Sequence, residues 1–270
     1  MNTALIRKTA RDYLVVWVAA MVLLFSLVMV FMLAVHSMPL DETTQFLRMA
    51  WVRKLVNALV GADLMETMTP TGLAGFIFSH PMTWVLLITF LMTASSGGLA
   101  GEVDRGTMDL LAALPISRPA IYVSLSIVIL LAGLPLCGVV WLGVAAGRLP
   151  TGATDVQLGV LGIVACNLYA AYCFLACFSL AVSSGCSRRG TSLAIAFVPI
   201  FYSFVLNLVG AFWEPAKRIA YTGFLHYYAP LPTIRDGTWP WRDMAVLAAA
   251  AIVCWGVGLV VFSRRDVPAR

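Results

Sequence analysis

The chain has 270 residues, of which 61% are hydrophobic and only 11% charged, and its mean hydropathy is +0.90. That leaves too little polar surface to cover a water-soluble globule of this size, so the chain belongs in a bilayer. Its formal charge of +5 is not a nucleic-acid signal, because such recognition needs a clustered basic face on a soluble domain, and neither is present.

Segments free of Asp, Glu, Lys and Arg run over 13–40, 67–101, 119–147, 156–187, 190–213 and 244–263. Each holds the roughly 20 residues that a spanning helix needs. The pattern predicts an all-α polytopic membrane protein with one transmembrane domain over 1–270. Its six helices are expected at about 14–35, 82–100, 120–146, 158–183, 191–211 and 244–262. An even number of spans puts both termini on one side.

Ahead of the first span, Arg7, Lys8, Arg11 and Asp12 make a basic, amphipathic N-terminus. The apolar run that follows is too long for the core of a cleaved signal, so it reads as an uncleaved anchor. An outer loop, 37–80, comes next. In it Leu47, Trp51, Leu55 and Ala58 share a helical face opposite Arg53 and Asn57, as in a helix lying in the interface or a lid over a substrate path.

Between the second and third spans, Gly101–Arg118 is a short charged segment held between two uncharged ones. Thr107 can cap a helix there, Asp109 sits in its first turn where the helix dipole favours an anion, and Pro115 ends it. Leu110, Leu111 and Leu114 recur at three- and four-residue spacing, which gives an amphipathic helix of about two turns. Ser117 and Pro119 then start the third span. In a membrane protein such a loop is where a soluble partner docks, an ordinary interfacial turn being the alternative.

Further along, Pro135 and Pro199 interrupt the third and fifth helices, with Tyr202, Ser203 and Asn207 adding mild polarity. That lining suits an amphipathic or lipid-like cargo better than an ion. Cys166, Ala170, Cys173 and Cys177 form a small-residue stripe on the fourth helix, the signature of close helix packing. A soft-metal path for copper, with Met32, His36, Met38, Met65 and Met68 as further ligands, is the alternative. The last outer loop places Trp213, Tyr221, Tyr227, Tyr228, Trp239 and Trp241 among prolines, which reads as an aromatic belt. The six cysteines lie almost wholly inside predicted spans and imply no disulfide framework.

Basic residues set the orientation. Arg7, Lys8, Arg11, Arg105, Arg118, Arg188, Arg189, Arg264, Arg265 and Arg270 fall in short segments on the terminal side, whereas the basic residues of the other side sit in longer loops balanced by acids. Both termini are therefore expected to be cytoplasmic. An intramembrane serine protease would need a histidine base near Ser95 or Ser96, and no predicted span holds one. No lysine follows a glycine in a GxxxxGK[ST] arrangement, so the chain cannot cradle ATP phosphates.

The loop resembles a segment of the exporter-type (ABC-2 type) ABC transporter permeases. The residues that carry the resemblance are Glu102, Asp104, Gly106, Thr107, Asp109, Leu110, Leu111, Pro115, Ile116, Ser117 and Arg118. The N-terminal Ile6–Asp12 stretch, Thr69-Pro70-Thr71-Gly72 and the Arg264-Arg-Asp266 ending are similar to the same family, so the resemblance spans the chain.

It implies a permease subunit in a bacterial or archaeal cytoplasmic membrane, exporting a substrate without being an enzyme itself. ATP and Mg would bind a separate ATP-binding subunit, and a second permease copy and membrane lipid would complete the partners. The helix from Thr107 to Leu114 would be a coupling helix resting on that subunit, flanked by Glu102, Asp104, Arg105, Gly106, Pro115, Ser117 and Arg118. Arg7, Lys8, Arg11 and Asp12 would form a second contact. The resemblance implies no catalytic residue, bound cofactor or metal ligand in this chain. A membrane assembly factor, or a permease exporting copper or a sulfur species for metalloenzyme maturation, is the alternative.

Overall fold

The structure, a computed structural model, describes residues 3–37, 69–108, 110, 115–210, 212–228 and 230–265. These residues form helices and turns, with no strand among them. Inside hydrocarbon every backbone N–H and C=O must be satisfied within its own segment, and the uncharged runs achieve this as helices. The helices are α1 (Thr3–Ser37), α2 (Pro70–Gly75), α3 (Pro81–Gly98), α4 (Ala100–Asp104), α5 (Arg118–Thr151), α6 (Leu158–Gly185), α7 (Arg189–Gly210), α8 (Glu214–Ile219), α9 (Pro230–Asp236) and α10 (Trp241–Arg264). Six of these stretches are long and apolar enough to cross a membrane: α1, α2 through α3, α5, α6, α7 and α10.

Helix starts follow local chemistry. The Thr69 hydroxyl accepts from the Gly72 N–H at 3.0 Å, the His80 ring accepts from the Met82 N–H at 3.3 Å, and a proline stands in the first turn of α2, α3 and α5. Such positions lack an intrahelical N–H partner anyway. Gly152, with φ of 65°, closes α5 in the left-handed conformation. The expected 14–35 helix begins much earlier, at Thr3. No glycine or proline lies between Thr3 and Ser37, so nothing separates the basic N-terminus from the first span.

Burial separates a core from a periphery. Half of the most apolar window of α6, and of the α2–α3 stretch, is buried, against 22% for α1, α7 and α10. The close approaches rest on small residues. On α5, a Cβ at Gly143 would stand 2.8 Å from Val28, and one at Gly147 the same distance from Met32. Further along, Pro135 removes one helical hydrogen bond and disturbs the carbonyls of the preceding turn. Three neighbouring carbonyls gain side-chain donors there: Tyr172 on Ile129 at 3.0 Å, Tyr169 on Leu130 at 3.2 Å and Trp17 on Ala132 at 3.0 Å. Buried polar residues are confined, among those described, to serines, threonines and Asn167.

On the face opposite the termini, the chain after α7 turns back into the helices. The Leu225 N–H donates to Ser203 Oγ at 2.9 Å, and Tyr228 OH donates to the Phe78 carbonyl at 2.9 Å. Trp84 meets Tyr228 and Phe224 edge-on at 5.1 and 5.7 Å, and Phe174 lies 6.1 Å from Phe224. Phe174 is roughly 24 Å along α6 from its start, so this segment is re-entrant. The belt reading fails for Tyr228, which is buried, while Trp213, Tyr221, Trp239 and Trp241 are exposed as a belt requires. The amphipathic stretch around Leu47–Ala58 lies outside the described residues.

Candidate functional site at the loop between the second and third spans

The loop begins where α3 stops at Gly98 and α4 turns away from it. α4 is fastened to the core by the Ala100 N–H, which donates to Ser183 Oγ on α6 at 3.1 Å. Glu102 lies at the centre of the loop's own network. It accepts from Arg105 Nη2 at 3.2 Å and from the Thr107 hydroxyl, and Lys8 Nζ stands 3.8 Å away. Lys8 also pairs with Asp12 at 3.3 Å. The carboxylate is only 15% exposed, and three donors offset the cost of that burial. Gly106, with φ of 72°, supplies the left-handed turn that brings Thr107 back onto Glu102. Donation to Glu102 leaves the Thr107 oxygen free to accept a cap bond, and the helix that it would cap runs mostly outside the described residues.

The N-terminal turns of α1 are the other wall. Leu5 and Thr9 are buried, and together with Tyr13 they face Gly98, Ile121 and Leu125 across a small recess. Arg7 and Arg11 are exposed. The N-terminal residues and the loop, expected separately, thus meet through Lys8 and Glu102. Met108 is buried while Leu110 is 71% exposed, and Pro115 and Ser117 are also exposed. Asp109, Leu111 and Leu114, on which the rest of the coupling helix depends, lie outside the described residues.

Three contacts had no forecast. The Asp104 carboxylate accepts from the backbone N–H of Arg189, the first residue of α7, at 3.2 Å. Arg265 caps the end of α6, donating to the carbonyls of Ser184 at 3.0 Å and Cys186 at 2.8 Å and to the Ser187 hydroxyl. Arg118, in turn, donates to the Arg265 carbonyl. One sequence signal existed for the first contact. Arg188 occupies the capping position of α7, since its carbonyl accepts from the Ser192 N–H, yet arginine only donates. The cap has to come from elsewhere.

Between α3 and α7 lies an apolar recess of about 340 Å³, bounded by Trp84, Ile88, Phe197, Phe201, Phe204 and Leu208. Cys166 is exposed, Cys173 half-buried and Cys177 buried. No three His, Cys, Asp or Glu residues converge among those described. Met38, Met65 and Met68 lie outside the described residues.

Comparison with curated proteins and with solved structures gives no match. A family model described as ABC-2 family transporter protein matches residues 4–267. That span runs from the turns of α1 that meet the loop to the residues just beyond the Arg265 cap, and the chain belongs to the ABC-2 family of transporter proteins, as a multi-pass membrane permease.

Proposed function

We propose that this permease is the membrane subunit of an ATP-driven exporter in a bacterial or archaeal cytoplasmic membrane, with the loop 101–118 and both termini on the cytoplasmic side. It pairs with a second permease copy and with separate ATP-binding subunits that carry ATP and Mg. The observation that carries this reading is Leu110. A large apolar side chain stands 71% exposed on a loop anchored to α1, α6 and α7. An apolar side chain held out from a braced support fits a groove on a soluble partner. Lipid-like or amphipathic cargo suits the apolar recess between α3 and α7, and the charge-free spans offer no site for an ion.

The test is replacement of Leu110 and Leu111 together by Asp. Each leucine loses about 1.5–3 kcal/mol of burial, and each new charge must be desolvated by the partner. Membrane insertion should be unchanged, since no span is touched. The variant should lose copurification with the ATP-binding subunit, or keep that subunit while transport stops. Full binding together with full transport would refute the coupling role.

A further inference from the structure

We infer that Asp104 is a positioning residue that transmits movement of the loop to α7, while Glu102 transmits it to α1. This rests on the ATP-driven reading above. The two acids are separated by one residue, yet their contacts diverge. Glu102 reaches Lys8 on α1, and Asp104 reaches the leading N–H of α7. α4 therefore joins the loop to two of the helices that are least buried.

The link to α7 is polar and directional. A carboxylate at a helix N-terminus satisfies an orphan N–H and lies at the positive end of the dipole. Arg188 in the capping position has no acceptor to replace it. Beside that bond α4 and α7 are in ordinary contact, since a Cβ on Gly101 would lie 3.6 Å from Arg189 Cδ. Pro199 sits in the middle of α7 and removes its bond to the Ile195 carbonyl, so the half of α7 nearest Asp104 can swing on that point. That half borders the recess through Phe197. A displacement of α4 would thus reach the recess along α7, whereas the Glu102 arm leads to α1 and away from it.

The experiment uses the full permease reconstituted with its ATP-binding subunit. A fluorophore is placed at an exposed position, on Ala194→Cys in α7 or on Leu14→Cys in α1, with the signal of the chain lacking that cysteine subtracted. Emission is compared without nucleotide and with ATP plus vanadate. Both reporters should respond in the otherwise unmodified complex. In Asp104→Ala the α7 response should fall by at least about fivefold, while the α1 response and copurification remain. Asp104→Asn keeps an acceptor and should retain the α7 response.

An undiminished α7 response in Asp104→Ala overturns the inference. So does loss of both responses together, or loss of copurification, because Asp104 would then serve the fold at large. If neither reporter responds in the unmodified complex, the ATP-driven reading fails and takes this inference with it.

Discussion

The ring of Tyr172 fills the place that a Cβ on Gly133 would take: its Cε1 lies 2.1 Å from that position, and its hydroxyl donates to the Ile129 carbonyl at 3.0 Å. Gly133→Ala should displace the ring and cost about 1–3 kcal/mol, as overpacking does. Tyr172→Phe keeps the ring and loses one hydrogen bond, about 0.6 kcal/mol in a membrane interior. Thermal unfolding in detergent should therefore rank unmodified protein, Tyr172→Phe and Gly133→Ala in falling order of Tm. A Gly133→Ala variant as stable as the unmodified protein would mean that the ring has room to move.

Gly258 is the less yielding case. A Cβ there would meet Tyr122 Oη at 2.2 Å and the Cα of Ala181 at 2.8 Å. Because one obstacle is backbone, a rotamer change cannot relieve it, and α10 must move off α6. Gly258→Ala should lower Tm more than Gly133→Ala does. The reverse order would disprove this account of the α6–α10 contact.

Arg265→Ala leaves the carbonyls of Ser184 and Cys186 without their guanidinium donor. The expected cost is about 1–3 kcal/mol. It should appear locally, as faster hydrogen exchange over Ser184–Arg189. Arg265→Lys should recover only part of the protection, since an ammonium cannot reproduce the planar fork. Unchanged exchange in the alanine variant would show that the clamp contributes nothing.

Orientation has its own test. The clustering of basic residues on the terminal side expects a reporter fused after Arg270 to read cytoplasmic and one inserted near Asp63 to read external. Opposite readouts would invert the map and place the loop 101–118 outside, beyond reach of a cytoplasmic ATP-binding subunit.

The spans were legible because lipid tolerates almost no charge, so a gap in the pattern of Asp, Glu, Lys and Arg is itself a structural signal. The start of α1 was not, because hydropathy falls at Asp12 while helicity, with no glycine or proline to stop it, continues back to Thr3. Tyr228 was misread for another reason. An aromatic residue in a short loop carries the same local signal whether it rests at the interface or turns inward, and only Trp84 and Phe78, far away in sequence, decide the matter. Glu102 and Asp104 stood out as acids between apolar runs. Their destinations did not, since the partner of Asp104 lies 85 residues along the chain.

The serines, threonines and Asn167 buried inside the bundle have an electrical consequence. A potential of 100 mV does about 2.3 kcal/mol of work on each elementary charge carried across a membrane. The uncharged stretches of the six spans carry none. On the ATP-driven reading, a rearrangement of those stretches moves no side-chain charge through the field, and ATP hydrolysis by the complex in sealed vesicles should proceed at the same rate whatever potential valinomycin and a potassium gradient impose.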